Sequence, residues 1–315
     1  MLKSLPRGLQ LAAAALVLLS FRTDTHGAPA YDRKADVIYG RKYGLALTMD
    51  VLRPKEKANG RGVILVMSGG WFSGPPNGNL SPWAGPLVES GYTIFQVVHG
   101  SQPKFAIPEI LEDMHRAVRY IRYHAKDYGI DPERIGILGG SAGGHLSLMQ
   151  GTAGHDGRPE SKDPVDRMSS RVQAVACFFP PTDFLNYGEP GKDAIGRGTL
   201  EKFAAAFDFR EFDREKYKFV TITDEARIVE IGRKISPITH VSEKSAPALI
   251  VHGDKDLLVP IQQAESLIEK LKAAGVAAKL IVKPGAAHGW PGMEEYGDDF
   301  VEWFETHLKA QTSAE

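Results

Sequence analysis

Six consecutive residues, Gly139-Gly140-Ser141-Ala142-Gly143-Gly144, carry the strongest chemical signal in this chain of 315 residues. They follow an apolar run from Arg134 to Leu138 and open an apolar stretch from Ala142 to Gln150. This is G-x-S-x-G in the strand-turn-helix setting that makes a serine a nucleophile. So sharp a turn drives its central residue to positive φ, and only minimal neighbours at Gly139 and Gly143 let the flanking backbone pass. The turn lifts the Ser141 hydroxyl above the sheet. The helix that follows brings free N–H groups and a partial positive charge to the place where an oxyanion would form. A phosphate-holding loop is the competing reading, but no Lys follows as in a P-loop, and there is no G-x-G-x-x-G.

A nucleophilic serine needs a base, and the base needs an orienting carboxylate. Of 10 histidines, His288 lies in the small-residue loop Pro284-Gly285-Ala286-Ala287-His288-Gly289 after the last expected strand, where an imidazole can swing back over the sheet. His252 ends a strand, His145 sits at the helix start behind the turn, and His115 and His124 lie on a helix, so these four suit structural or solvated roles. The carboxylate candidates are Asp254 and Asp256 in His252-Gly253-Asp254-Lys255-Asp256-Leu257-Leu258-Val259-Pro260. Both follow a strand at its carboxyl end, where α/β sheets place their sites. The order serine, acid, histidine is the chain order of the α/β-hydrolase triad.

The elements that must position these residues alternate. Asp36 to Tyr39 and Leu45 to Leu52 read as an antiparallel entry hairpin, and Gly62 to Met67 and Tyr92 to Val98 as strands buried on both faces. Ile107 to Lys126 has Ile110, Leu111, Met114, Val118 and Ile121 at helical spacing. Further helices are expected at Pro82 to Ser90, Ile261 to Ala274 and Glu294 to Leu308, and strands at Val172 to Phe179, Ala248 to His252 and Lys279 to Lys283. The expected fold class is α/β: a mostly parallel central sheet with helices on both faces. Between Asn186 and Ser236 the alternation breaks into charged and aromatic sequence. That stretch reads as a small helical cap insertion, either a lid over the site or a cover for one sheet edge.

Composition narrows the partners. With 38 Lys+Arg against 39 Asp+Glu the formal charge is −1, so no global field draws nucleic acid. Lys3 and Arg7 precede an apolar run from Leu9 to Leu19, and Ala28-Pro29-Ala30 supplies small residues, so residues 1–30 read as a signal peptide and the remainder, 31–315, as one exported domain, secreted or periplasmic. The run is shorter than a bilayer span, which disfavours an uncleaved anchor and stable membrane insertion. The single Cys177 lies in an apolar strand, excludes an internal disulfide and reads as packing.

From Asp36 onward the chain resembles the α/β-hydrolase superfamily. Gly129-Ile130-Asp131-Pro132-Glu133-Arg134-Ile135 ahead of the serine turn is similar to the branch holding hormone-sensitive-lipase-like carboxylesterases and the acetyl-xylan and feruloyl esterases. The resemblance implies Asp256 as the triad carboxylate, with Asp254 bracing a loop. It also implies an oxyanion hole from the backbone N–H groups of Gly69, Gly70 and Ala142. The family usually carries H-G-G-G-W where this chain has Met67-Ser68-Gly69-Gly70-Trp71, and an acidic residue where this chain has Gly140. Trp71, His99 and Trp290 are expected to contact substrate. The expected activity is hydrolysis of short-acyl or carbohydrate esters by Ser141, His288 and Asp256, with no metal or organic cofactor. A prolyl-oligopeptidase-like peptidase lacks room for its propeller, and a non-catalytic binding protein would not need the triad. Oligomeric state is left open.

Overall fold

The structure, a computed structural model, describes residues 30–76 and 80–309. The expected signal peptide lies outside the described residues apart from Ala30. Eight strands form one sheet: β1 (Tyr31–Lys42), β2 (Leu45–Pro54), β3 (Gly62–Val66), β4 (Thr93–Val97), β5 (Ile135–Gly140), β6 (Ala174–Phe178) and, after an insertion that holds the short β7 (Arg210–Asp213) and β8 (Lys218–Thr221), β9 (Ala248–Gly253) and β10 (Ala278–Lys283). Their spatial order is β1-β2-β4-β3-β5-β6-β9-β10. Only the β1–β2 and β2–β4 pairs are antiparallel; the five pairs from β4 to β10 are parallel.

Parallel strands must be covered on both faces, and the side-chain period of two divides the core accordingly. On β3, Val63 and Leu65 join Leu87, Val88, Phe300 and Phe304 from α1 (Gly85–Glu89) and α7 (Gly297–His307). The intervening Ile64 and Val66 join Ile110 and Met114 of α2 (Ile107–Tyr123), Leu146 of α4 (Ala142–Ala153) and Leu267 of α6 (Gln262–Ala273). The expected helix to Lys126 is split: α2 ends at His124, and one turn, α3 (Ala125–Tyr128), closes on left-handed Gly129. Among the described residues no helix is long and apolar enough to cross a membrane.

The stretch from Asn186 to Ser236 lies between β6 and β9. Gly198–Phe207 winds as tight three-residue turns kinked at Phe203, and α5 (Glu225–Lys234) starts at Asp224, whose carboxylate accepts the Arg227 N–H at 2.8 Å. Between them runs the β7–β8 hairpin, which the sequence pattern did not anticipate. Its aromatic side chains stay largely in solvent, so no buried face marks it as a strand pair. The hairpin reaches the β1–β2 turn, with Phe219 6.5 Å from Tyr43. The other aromatic residues turn inward: Phe207 and Phe209 are buried, and Phe203 rests on the core.

Candidate active site

The carboxyl ends of β3, β5, β6 and β9 meet at the middle of the sheet, and the site is built there. Ser141 links β5 to α4 with φ 53° and ψ −120°, a conformation strained for a residue with a Cβ. Its N–H donates to the Phe178 carbonyl at 3.0 Å and its carbonyl accepts the His145 N–H at 2.9 Å, so sheet and helix hold the strained residue from both sides. A Cβ on Gly139 would stand 2.5 Å from the Gly143 backbone, which is why this turn admits nothing larger. Where relatives often carry an acidic residue, Gly140 faces the Trp83 ring: a Cβ there would come within 2.8 Å of it.

His288 Nε2 lies 2.9 Å from Ser141 Oγ, and His288 Nδ1 lies 2.7 Å from Asp256 Oδ2. The carboxylate fixes the tautomer: Nδ1–H donates to it and Nε2 is left to accept the serine proton. Asp256 Oδ1 accepts the Leu258 and Val259 N–H groups at 2.9 and 2.8 Å. Burial raises the pKa of this carboxylate, but hydrogen bonds from His252, His288 and the Val259 amide outweigh it and hold the group well below the usual range. Asp254 points elsewhere. Its Oδ1 accepts the Gly285 N–H at 2.6 Å and so tethers the loop that carries His288.

The structure separates the three expected oxyanion donors. The Gly69 N–H is spent on the Phe72 carbonyl at 3.0 Å in a two-residue bridge, which corrects its expected role. Gly70 has no such partner among the described residues, and Ala142 is the first residue of α4, whose N–H has no carbonyl one turn earlier to bind. Gly70, at φ +55°, is covered by the Phe203 ring.

The three expected substrate contacts also part ways. Trp71 sits at φ 61°, which turns its indole into the core: it is 1% exposed, and its Nε1–H donates to His145 Nδ1 at 3.2 Å. It supports the loop above it and presents no face to a ligand. His99 is likewise buried, with Nδ1–H donating to the Gly100 carbonyl at 2.7 Å. Trp290 is half-buried in a cluster with Phe178, Phe179 and Tyr296. Two residues that the motifs do not nominate adjoin Ser141 and His288. Phe179, in a positive-φ conformation at 33°, sets its ring 4.4 Å from that of His288. His145 Nε2–H donates to the Ile235 carbonyl at 2.7 Å, joining α4 to the end of the insertion. The Phe178-Phe179 doublet at a strand end was the available signal for the first.

Comparison with known proteins places this geometry. The family model described as BD-FAE matches residues 49–271. A probable carboxylic ester hydrolase, LipM, from Mycobacterium tuberculosis (strain ATCC 25618 / H37Rv) is 29% identical over 245 residues, covering 77% of this chain and 52% of the relative. Esterase LipQ from the same organism is 27% identical over 260 residues, covering 81% of this chain and 57% of the relative. The chain thus spans little more than half the length of these curated relatives. A truncated carbohydrate esterase from gut microbiota superposes with a TM-score of 0.71 at 25% identity, covering 89% of this chain and 97% of the other. The matched span exceeds half of the sequence and the sheet has the strand order described above: the chain belongs to the BD-FAE family and has the α/β-hydrolase fold.

Proposed function

We propose that this chain is a serine hydrolase of carboxylic esters, acting through an acyl-enzyme on short-acyl or carbohydrate esters. The observation that carries the reading is the unbroken contact from Ser141 Oγ through His288 to Asp256, at 2.9 and 2.7 Å, on a strained turn. Ser141 Oγ attacks the ester carbonyl carbon while its proton passes to His288 Nε2. The carbonyl oxygen gains the negative charge and faces the Gly70 and Ala142 N–H groups. The carbon–oxygen bond to the alcohol then breaks, and the proton on Nε2 goes to the departing oxygen. Water repeats the sequence on the acyl-serine and releases the acid. Likeness to a carbohydrate esterase supports a sugar-borne ester, as do the aromatic residues around the site.

Labelling with a fluorophosphonate, followed by an ester panel from acetyl to decanoyl nitrophenyl esters, acetylated xylan and feruloylated sugars, tests the reading. Failure of Ser141 to label in folded protein would reject it.

The two aspartates divide its acid chemistry unequally. Asp256→Asn is expected to cost about 10³- to 10⁴-fold in kcat, because an amide at that position no longer selects the tautomer that leaves Nε2 free. Asp254→Asn removes only a charge from a loop tether and should cost less than about tenfold. Reversal of that ranking in steady-state kinetics would reassign the carboxylate.

Acyl length follows from Trp83. Its ring fills the space beside Gly140, next to the nucleophile, and leans on Phe178 at 4.9 Å. Acetate esters should therefore be favoured over decanoate, and Trp83→Ala should raise kcat/KM for longer chains relative to acetate by about tenfold. An unchanged chain-length profile in Trp83→Ala would remove Trp83 as the limit.

A further inference from the structure

Asp256 has a second imidazole on the oxygen that binds His288. His252, the last residue but one of β9, is fully buried. Its Nε2 lies 2.8 Å from the Val259 carbonyl oxygen and 3.3 Å from Asp256 Oδ2. A carbonyl oxygen can only accept, so the proton is on Nε2; its N–H donates to Val259 O and stands in electrostatic contact with Asp256 Oδ2. That leaves His252 Nδ1 as a bare acceptor, and it is buried with no hydrogen-bond partner among the described residues. An imidazole with one ring nitrogen orphaned is a poor choice for filling space, since an apolar side chain would bury there without that penalty. The donor at Nε2 is the feature that an apolar residue could not supply.

We propose that His252 is a positioning residue that acts through Asp256: the positive end of its Nε2–H dipole, 3.3 Å from Oδ2, offsets charge on the oxygen that binds His288 and so sets how tightly the imidazolium is held. The inference rests on the triad reading above. Oδ1 is already committed to the Leu258 and Val259 amides. Oδ2 therefore carries the balance of charge, hydrogen-bonded to His288 Nδ1–H and faced at 3.3 Å by the His252 Nε2–H dipole. A carboxylate oxygen that loses one donor becomes a stronger partner for the other, which stabilises the protonated form of that partner. The surroundings offer few competing charges. On the His288 side stand Ser141 Oγ and the Phe179 ring, which also lies 6.4 Å from the His252 ring. On the Asp256 side stands Tyr187, whose hydroxyl donates to the Leu258 carbonyl at 2.9 Å. The neighbouring Asp254 is turned to Gly285, and Lys255 donates its backbone N–H to Ala286.

The test is the acid limb of the kcat/KM–pH profile for nitrophenyl acetate, with the pH dependence of fluorophosphonate labelling as an independent reading of the same base. His252→Phe, which keeps a ring without the donor, should move the acid limb up by about half a pH unit or more and lower the plateau kcat several-fold, with KM little changed. His252→Gln, which can place an amide N–H near the Nε2 position, should return the limb toward wild type. Should His252→Phe not fold, His252→Met is a second donor-free variant in a more adaptable shape. A limb that stays in place or moves down in a folded donor-free variant overturns the proposal and leaves His252 a packing residue. Failure of Ser141 to label in the wild-type protein would instead reject the triad reading, so the two outcomes are distinguishable.

Discussion

Ser141→Ala and His288→Ala are each expected to lower kcat on a nitrophenyl ester by about 10⁴-fold or more, and the double variant is expected to lose little beyond either single one. The reason is geometric: the Ser141 proton passes only to His288, 2.9 Å away, while Asp256, 2.7 Å beyond, holds the imidazole without taking a proton, so losing either partner of that one transfer stops it. Residual activity would come from binding and from the Gly70 and Ala142 amides, which neither substitution touches. Ser141→Ala also keeps the strained backbone, since alanine still carries a Cβ at φ 53°, and its thermal midpoint should stay near that of the wild type. Steady-state kinetics with a melting curve on the same preparations checks both halves. Additive losses in the double variant would mean that the two residues act in separate steps.

Acid should destabilise the fold well above the carboxylate range. Burial pushes the pKa of His99 and of His145 down to about 4 and that of His115 to about 3, so all three are held neutral in the folded protein. In the unfolded chain they titrate near their ordinary value of about 6.5. Between these limits the unfolded state binds protons that the folded state refuses, so stability rises with pH there and is lost as pH falls from about 6.5 toward 4. A tenfold difference in proton affinity between the two states is worth about 1.4 kcal/mol, and each of the three groups differs by more than that, so together they remove a large share of a typical net stability. The lowered Asp256 acts in the same direction at still lower pH. The melting midpoint is expected to drop by roughly 10 °C or more between pH 7 and pH 4.5. A midpoint that holds across that window would show that these imidazoles take up protons without unfolding.

Much of the sheet was legible in the sequence because burial on two faces leaves a blunt signature. Five-residue apolar runs rich in β-branched residues and bounded by glycine, such as Gly62–Val66, fit central strands, and the turns that end them in glycine and serine mark the carboxyl edge. Ser141 could be nominated because it sits directly after such a run; His288 follows its strand by a few small residues, and Asp256 was separated from Asp254 only by the family resemblance. What escaped depends on backbone conformation rather than residue type. Trp71 follows two glycines and looked free to face a ligand, but at φ 61° its side chain points down to His145. Gly69 and Gly70 are identical in type, and only the bridge to Phe72 distinguishes the amide that is spent. The β7–β8 hairpin has neither the buried face of a strand nor the turn residues of a tight hairpin, so helix, strand and loop were equally compatible with it. The insertion could be located by its broken alternation, whereas the side its aromatic residues would face could not.

That orientation bears on how this part of the fold can diverge. Phe203 lies over Gly70, Phe207 packs 5.3 Å from the Trp71 ring, and the Ile235 carbonyl holds His145 beneath them. The insertion is thus packed into the loop that carries Gly70 and Trp71. A chimera that grafted this segment from a relative would therefore also exchange the packing around the Gly70–Trp71 loop. The exposed hairpin from Arg210 to Thr221 can therefore change with little effect on the core, while Phe203 and Phe207 can change size only together with Trp71, against which both rings pack.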